Sequence, residues 1–551
     1  MEKVENIVVI GGVAAGPKVA AKVRRQDPTA NITLLTEEEY LSYSICNLPY
    51  FIGDIVKNPK ELLVREPAYF KNIFNIDTLL RHRAIKIDTA KKEVKVLDLE
   101  TQKEKSFPYD KLILATGASP IRPPIKGIEF QNIFTLRTIP DAIKIKSAAE
   151  QAQRAVVVGG GLIGLEVAEN LAKRGLETTV IEKLDQILPP LDRDMALLVE
   201  KHIKAKGVDV STSDGVESFE GKRDGKVYIV NTGKRKISAE LVVMSVGVRP
   251  NVQLAKEAGI ELGTTGAIKV NERMETTVPD VYAAGDCAET INLVTGNTAW
   301  IPLATTAAKQ GRVAAINATG GYDSFKGVVG TLVVRVFDLN VAKAGLSEKE
   351  ALREGFKPET TIAVGPDKSL DSKEIMVKLI ADKTSGCLLG AQIIGQGNVD
   401  KRIDVVATAL NFGATVEQLS KLDLAYAPQY GTVMDPLITS ANVLRNKLAG
   451  ETVGISAEQV KAKLERREDF ILLDVRSPRE YQEARIEGCR HIHIYELAKK
   501  TGELDSQKEV VTYCGSGLRA ALACRILKNA NFKDVKYMDG SLKAWPYELK
   551  V

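Results

Sequence analysis

Apolar residues in this chain fall into short unbroken runs, each closed by glycine and followed by a helical period. Asn6-Ile7-Val8-Val9-Ile10 leads into Gly11-Gly12-Val13-Ala14-Ala15-Gly16, then a helix ending near Arg25, then a second run, Ile32-Thr33-Leu34-Leu35. Runs without polar alternation predict strands buried on both faces, as in a parallel sheet, so this is the start of a βαβ unit. The design returns at Ala155-Val156-Val157-Val158, with Gly159-Gly160-Gly161-Leu162-Ile163-Gly164, a long helix, and Thr178-Thr179-Val180-Ile181-Glu182. Near the C-terminus a shorter version, KEVVTYCGSGLRAALACRIL over 508–527, places Cys514 in the turn between strand and helix.

The second copy fits G-x-G-x-x-G through Gly159, Gly161 and Gly164. Glu182 follows 18 residues beyond Gly164, where an acid accepts ribose hydroxyls, so this copy predicts the nicotinamide-nucleotide site. In the first copy, Val13 stands where the middle glycine would be, and the strand-end acid falls one position late, at Glu37.

At 551 residues the chain should hold three to five domains. A net charge of +5 with no dominant basic tract argues against a nucleic-acid partner. No run of about 18 apolar residues predicts a membrane span, and Met1-Glu2-Lys3 runs into a strand without a secretory signal, so a cytoplasmic protein is expected. Six cysteines without a C-x-x-C pair point to reduced thiols. The four histidines, with His491 and His493 expected to alternate across a strand, form no metal cluster.

Candidate chemistry concentrates on two cysteines. Cys46 lies in Ser42-Tyr43-Ser44-Ile45-Cys46-Asn47-Leu48-Pro49-Tyr50 with no second cysteine in the segment. Its oxidised form must therefore be a mixed disulfide, a persulfide or a sulfenic acid. Around Cys514, backbone N–H groups and a helix N-terminus should converge on the sulfur, with Arg519 adding a positive charge for an anionic sulfur donor. Both contexts predict a reactive thiolate.

Residues 456–551 resemble the rhodanese domain. The match rests on Cys514-Gly515-Ser516-Gly517-Leu518-Arg519, on Asp474-Val475-Arg476-Ser477-Pro478-Arg479-Glu480-Tyr481, and on Asp539-Gly540-Ser541 followed by Trp545. A cysteine phosphatase would place its arginine six positions after the cysteine; here the interval is five, a smaller loop suited to sulfur. Upstream, the glycine turn, Leu112-Ile113-Leu114-Ala115-Thr116-Gly117, Val246-Gly247-Val248-Arg249-Pro250-Asn251 and Ala284-Gly285-Asp286 resemble the two-dinucleotide-fold flavoprotein disulfide reductases.

That resemblance implies FAD held by Gly11, Gly12, Ala14, Ala15, Gly16, Glu37, Thr116, Gly117, Gly285 and Asp286, with NADH or NADPH on the second unit and Gly247 a further cofactor-binding residue where the inserted domain ends. The Cys46 segment is similar to the single-cysteine coenzyme A disulfide and persulfide reductases in Ser42, Cys46, Leu48, Pro49 and Tyr50, with Ile45 in place of their asparagine. The fold implied is α/β: two Rossmann-type dinucleotide-binding domains (FAD, 1–115 and 246–325; NAD, 116–245), an α+β dimerisation domain (326–443), a linker (444–455) and a C-terminal rhodanese α/β domain (456–551). A homodimer follows, with Tyr426 of Leu424-Ala425-Tyr426-Ala427-Pro428 reaching towards the partner's thiol. Lys18, Lys22 and Arg25, on one helix face, would hold coenzyme A phosphates. The expected partners are small thiols, persulfides or coenzyme A. Two other functions remain open: an NADH oxidase or peroxidase cycling through a Cys46 sulfenic acid, and a sulfur-binding module that only senses.

Overall fold

A computed structural model describes residues 5–551, so the expected start at Met1-Glu2-Lys3 lies outside the described residues. The chain divides into two compact units, residues 1–183 with 211–328, and residues 184–210 with 329–551.

In the first unit, five parallel strands run in the order Val281–Ala283, Lys111–Leu114, Asn6–Ile10, Asn31–Leu35, Asp77–Leu79. Side-chain alternation divides the central strand between two cores. Ile7 and Val9 pack with Val19, Val23 and Val313 of helices Ala15–Gln26 and Ala304–Ala318. Val8 and Ile10 pack with Ile87, Val94 and Val96 of the antiparallel strands His82–Asp88 and Glu93–Asp98. Burial on both faces is why the run carries no polar residue. The second dinucleotide unit repeats the pattern, with strand Arg154–Val158 between Glu177–Ile181 and Leu241–Met244, all parallel. Strands Ala118–Pro120 and Val248–Pro250 pair antiparallel, so the outgoing and returning chain cross side by side.

In the second unit, an antiparallel sheet ordered Leu332–Val336, Leu339–Gly345, Leu388–Gly395, Glu374–Asp382, Pro358–Pro366 carries helices Val399–Asn411 and Pro436–Leu448. Arg402, 1% exposed, is neutralised by Asp435 at 2.8 Å. The C-terminal sheet is parallel, in the order Gly454–Ile455, Val535–Met538, Glu509–Tyr513, Phe470–Asp474, Arg490–His491.

Two sequence expectations are corrected, on the linker and on His493. Residues 184–210 group with the second unit, although strand Asp209–Ser211 at their end pairs with Glu177–Ile181 in the nucleotide sheet. Within the second unit Asp192 and Asp194, with Glu348, surround the buried ammonium of Lys378 at 3.1, 2.8 and 3.1 Å. A buried cation needs such partners, and they fix this segment to the Glu374–Asp382 strand. The linker expected from 444 begins later, because helix Pro436–Leu448 runs on and buries Lys447. Only 449–453 lack regular structure before strand Gly454–Ile455. His493 is outside the strand that holds His491 and stands at the N-terminus of helix Ile494–Lys500.

Candidate functional site

The two dinucleotide turns are built by close backbone approach. A Cβ on Gly16 would lie 1.8 Å from the Gly11 carbonyl oxygen, and one on Gly164 would lie 2.0 Å from that of Gly159. Only glycine lets each helix start so near its strand. Helices Ala15–Gln26 and Leu162–Lys173 have no side-chain N-cap and no acid in the first turn. By contrast, Thr138, Ser347, Thr415, Ser456 and Ser477 close their helices with capping boxes. Free N–H groups at a helix start suit a pyrophosphate.

Further residues complete both sites. Gly12 sits against Thr36, a Cβ there meeting its side chain at 2.7 Å. Thr116 donates its hydroxyl to the Asn251 carbonyl at 2.7 Å, and the Gly117 carbonyl accepts the Asn251 N–H at 2.9 Å, while Gly247 accepts from Ile121. Gly285 donates its N–H to Gln310 Oε1 at 2.8 Å. Its neighbour Asp286 faces Arg137 at 3.8 Å, and burial raises its pKa. Glu182 is buried and accepts the Gly160 N–H at 2.7 Å, which holds its carboxylate at the nucleotide turn. Glu37 is exposed and paired with Arg83 at 2.7 Å. Uncapped turns, small residues and placed acids fit one flavin and one nicotinamide dinucleotide.

Cys46 is exposed in a short 3-10 turn, Ile45–Asn47, directly before helix Leu48–Ile52. Ser42 is buried with φ 50° and uses its backbone, its N–H donating to the Gly12 carbonyl at 2.8 Å, so it ties this segment to the flavin turn. The expected thiolate is not favoured by the polypeptide's own groups. Desolvation first, then the negative charges of Glu166 and Asp286, raise the Cys46 pKa, with Arg137 opposing.

Glu166 was not singled out in the sequence because its contacts are remote. It sits on the second dinucleotide helix, accepts from the Tyr50 hydroxyl at 3.4 Å, and burial pushes its pKa up to about 7. The sequence signal is its place two residues beyond the last glycine of a nucleotide motif.

On helix Ala15–Gln26, Lys18 and Arg25 are exposed and Lys22 is half-buried, opposite the buried Val19 and Val23. The Lys22 pKa is lowered by desolvation and by repulsion from Arg312 and Arg25, the mark of a cationic patch.

In the C-terminal domain, strand Glu509–Tyr513 delivers Cys514 into the turn before helix Leu518–Asn529. The sulfur accepts the Gly517 N–H at 3.1 Å, and the Cys514 N–H donates to Ser541 Oγ at 3.1 Å. Cys514 is 1% exposed while Leu518 beside it is 82% exposed. Arg519 makes a bidentate pair with Glu480 at 2.8 and 2.6 Å, which pulls the Glu480 pKa down to about 2, and its guanidinium also interacts with the Cys514 side chain. The Asp474–Tyr481 segment supplies the counterion, Ser477 capping the helix that carries Glu480. Arg519 thus braces the loop through Glu480 while still facing the Cys514 side chain. Tyr426 is 49% exposed on the dimerisation domain, near exposed Tyr430, Val433 and Met434.

Three family models match: the pyridine nucleotide-disulphide oxidoreductase model over residues 5–311, the dimerisation domain of the same family over 332–436, and the rhodanese-like domain over 456–547. The chain belongs to the pyridine nucleotide-disulphide oxidoreductases. Among family relatives, the "NAD(P)H coenzyme A polysulfide/persulfide reductase" of Pyrococcus horikoshii is 36% identical over 447 residues, 80% of this chain and 98% of that protein. A protein named "NADH oxidase" from Methanocaldococcus jannaschii is 35% identical over 454 residues, 81% of this chain and 99% of that one. The solved structure of an NAD-dependent persulfide reductase from A. fulgidus is 43% identical with a TM-score of 0.93, spanning 98% of this chain and 100% of that one.

Two outcomes follow from this geometry. The Glu182 carboxylate should bond ribose hydroxyls and repel a 2′-phosphate, so kcat/KM with NADH should exceed that with NADPH about tenfold or more. Equal values in steady-state assays would contradict it. Glu166→Gln removes a negative charge beside Cys46 and should lower the thiol's pKa, read as faster alkylation at neutral pH by iodoacetamide. An unchanged pH profile of alkylation would show that Glu166 does not act on the sulfur.

Proposed function

We propose that this protein is a flavin-dependent NAD(P)H oxidoreductase that reduces persulfides, polysulfides or coenzyme A disulfide through Cys46, supplied with sulfane sulfur by Cys514. The observation that carries this reading is the presence in one chain of a lone exposed thiol whose segment is tied to a dinucleotide turn and a second thiol cradled in a sulfur-transfer loop. The Pyrococcus and A. fulgidus proteins, named for persulfide reduction, support it.

FAD supplies a two-electron relay between the nicotinamide and sulfur. The chain's own residues do the sulfur chemistry. The Cys46 thiolate attacks the inner sulfur of a persulfide R–S–SH; a Cys46–S–S–R bond forms, the S–SH bond breaks, and HS⁻ leaves. Two electrons originating from NAD(P)H then cleave the mixed disulfide to the Cys46 thiolate and R–S⁻. Upstream, the Cys514 thiolate takes one sulfur from a polysulfide, which departs one sulfur shorter. A small thiolate R–S⁻ attacks the outer sulfur of Cys514–S–SH, the bond to Cys514 breaks, and R–S–SH leaves with the Cys514 thiolate restored. Gly517 N–H and the helix N-terminus stabilise that anion.

Coenzyme A is the thiol of choice, because the patch of Lys18, Lys22 and Arg25, reinforced by Arg312, suits its phosphates. Arg519 acts by bracing the loop through Glu480. A homodimer covers the exposed Tyr426, Tyr430, Val433 and Met434, and Tyr426 then stands near the partner's sulfur site as a hydrogen-bond donor to the leaving thiolate. Glu37 holds the flavin ribose in this reading. A cytoplasmic location suits its reduced thiols. The Methanocaldococcus relative supports a second reading, an NADH oxidase through a Cys46 sulfenic acid. The fused rhodanese domain weighs against it, since an oxidase has no use for a sulfur carrier. The bonded Cys514 loop likewise weighs against a merely sensing module.

Cys46→Ser should abolish persulfide and coenzyme A disulfide reduction, a loss of about a thousandfold or more, while NADH still bleaches the flavin. Cys514→Ser should remove sulfur uptake from polysulfide and leave reduction of ready-made coenzyme A persulfide within about twofold. Persulfide turnover in Cys46→Ser, or its loss in Cys514→Ser, would contradict this division.

A further inference from the structure

Residues 539–543 touch two things at once. Towards the rhodanese site, Ser541, fully buried, accepts the Cys514 N–H, and the Leu542 and Lys543 N–H groups donate to the Cys514 and Gly515 carbonyls, each at 3.1 Å. Towards the dimerisation domain, the Gly540 N–H donates to the Ile362 carbonyl at 3.0 Å, Thr361 Oγ1 lies 3.4 Å from Asp539 Oδ1, and Lys543 pairs with Glu374. The floor of the sulfur loop is thus also the dock onto the edge strand Pro358–Pro366.

At its centre is a buried ion pair. Lys447 Nζ lies 3.0 Å from Asp539 Oδ2, with side-chain exposures of 4% and 6%, and Glu359 stands 3.3 Å from the same ammonium, which also donates to the Thr360 carbonyl. The packing leaves no slack. A Cβ on Gly454 would lie 2.5 Å from Lys447 Nζ, and one on Gly540 would lie 2.9 Å from Ile362 Cγ2. The connector is held as well: Glu451 pairs with Arg525 at 3.2 Å and accepts Lys528 Nζ on its carbonyl at 3.1 Å. Even released, residues 449–453 would span at most roughly 18 Å.

We propose that the Lys447–Asp539 pair is a positioning device that locks the rhodanese domain to the dimerisation domain and fixes where Cys514 hands over its sulfur, so that sulfur leaves on a mobile small thiol and not by movement of the domain. This rests on the reading of Cys514 as a sulfur carrier. Removing either partner alone leaves a buried charge without its counterion, which is costly; removing both leaves Glu359, which is partly exposed and keeps Lys383 at 3.5 Å, so the double variant spares the fold. Loading of Cys514 depends on its own loop; hand-over depends on the dock.

The test uses full-length flavoenzyme as wild type, Lys447→Met and the double variant Lys447→Met/Asp539→Asn. Cys514 is loaded with polysulfide, its mass gain of one sulfur is followed, excess donor is removed, and coenzyme A with NADH is added under anaerobic conditions. Both variants should load within about twofold of wild type but hand over about tenfold or more slowly, the scale of loss when a reacting group is misplaced. Reduction of free coenzyme A persulfide should stay within about twofold. Glutamyl endopeptidase should cut after Glu451 faster than in wild type. Wild-type hand-over together with wild-type cleavage in the double variant overturns the proposal, and so does a loading defect as large as the hand-over defect. If wild type itself never loads, the carrier reading fails; the cleavage rate then decides the clamp alone, faster cleavage supporting it and unchanged cleavage overturning it.

Discussion

Everything this chain does depends on how closely a helix can begin behind a parallel strand. At Gly16 and Gly164 the preceding carbonyl occupies the space of a side chain, so each helix starts with its N–H groups bare and pointing past the strand end. The same strand-turn-helix unit appears a third time, and there the group at the bare N-terminus is the chain's own sulfur, bonded by the Gly517 N–H. One local geometry therefore suits two pyrophosphates and a sulfur, because bare N–H groups at a helix start favour an acceptor there.

The two cysteines sit in different settings. Cys514 is buried, and its sulfur accepts the Gly517 N–H at the start of helix Leu518–Asn529. Cys46 is exposed, and desolvation first, then the carboxylates of Glu166 and Asp286, disfavour its thiolate. A residue such as Glu166, its pKa near 7 through burial, is suited to answer charge changes at the sulfur.

What the sequence revealed, it revealed through local constraint. Ile7-Val8-Val9-Ile10 reads as a two-sided buried strand because each face meets its own core, and the glycine spacings report backbone approach within six residues. Glu182 could be placed because a fixed strand length carries it to the turn. What was hidden is set by partners far along the chain. Nothing near Arg519 in the chain announces its counterion Glu480, which comes from another helix. Lys447 reads as a polar linker residue until Asp539 arrives from near the C-terminus. Polar side chains in amphipathic helices look solvent-bound in sequence, and only the tertiary fold shows which are buried.

Reduction of a sulfane sulfur at a single thiol has a fixed stoichiometry, and measuring it tests this account most directly. With coenzyme A persulfide as substrate under strict anaerobiosis, the purified flavoenzyme should release one sulfide for each NADH oxidised, at a rate unaffected by admitting oxygen. NADH consumption that needs oxygen and yields no sulfide would contradict it.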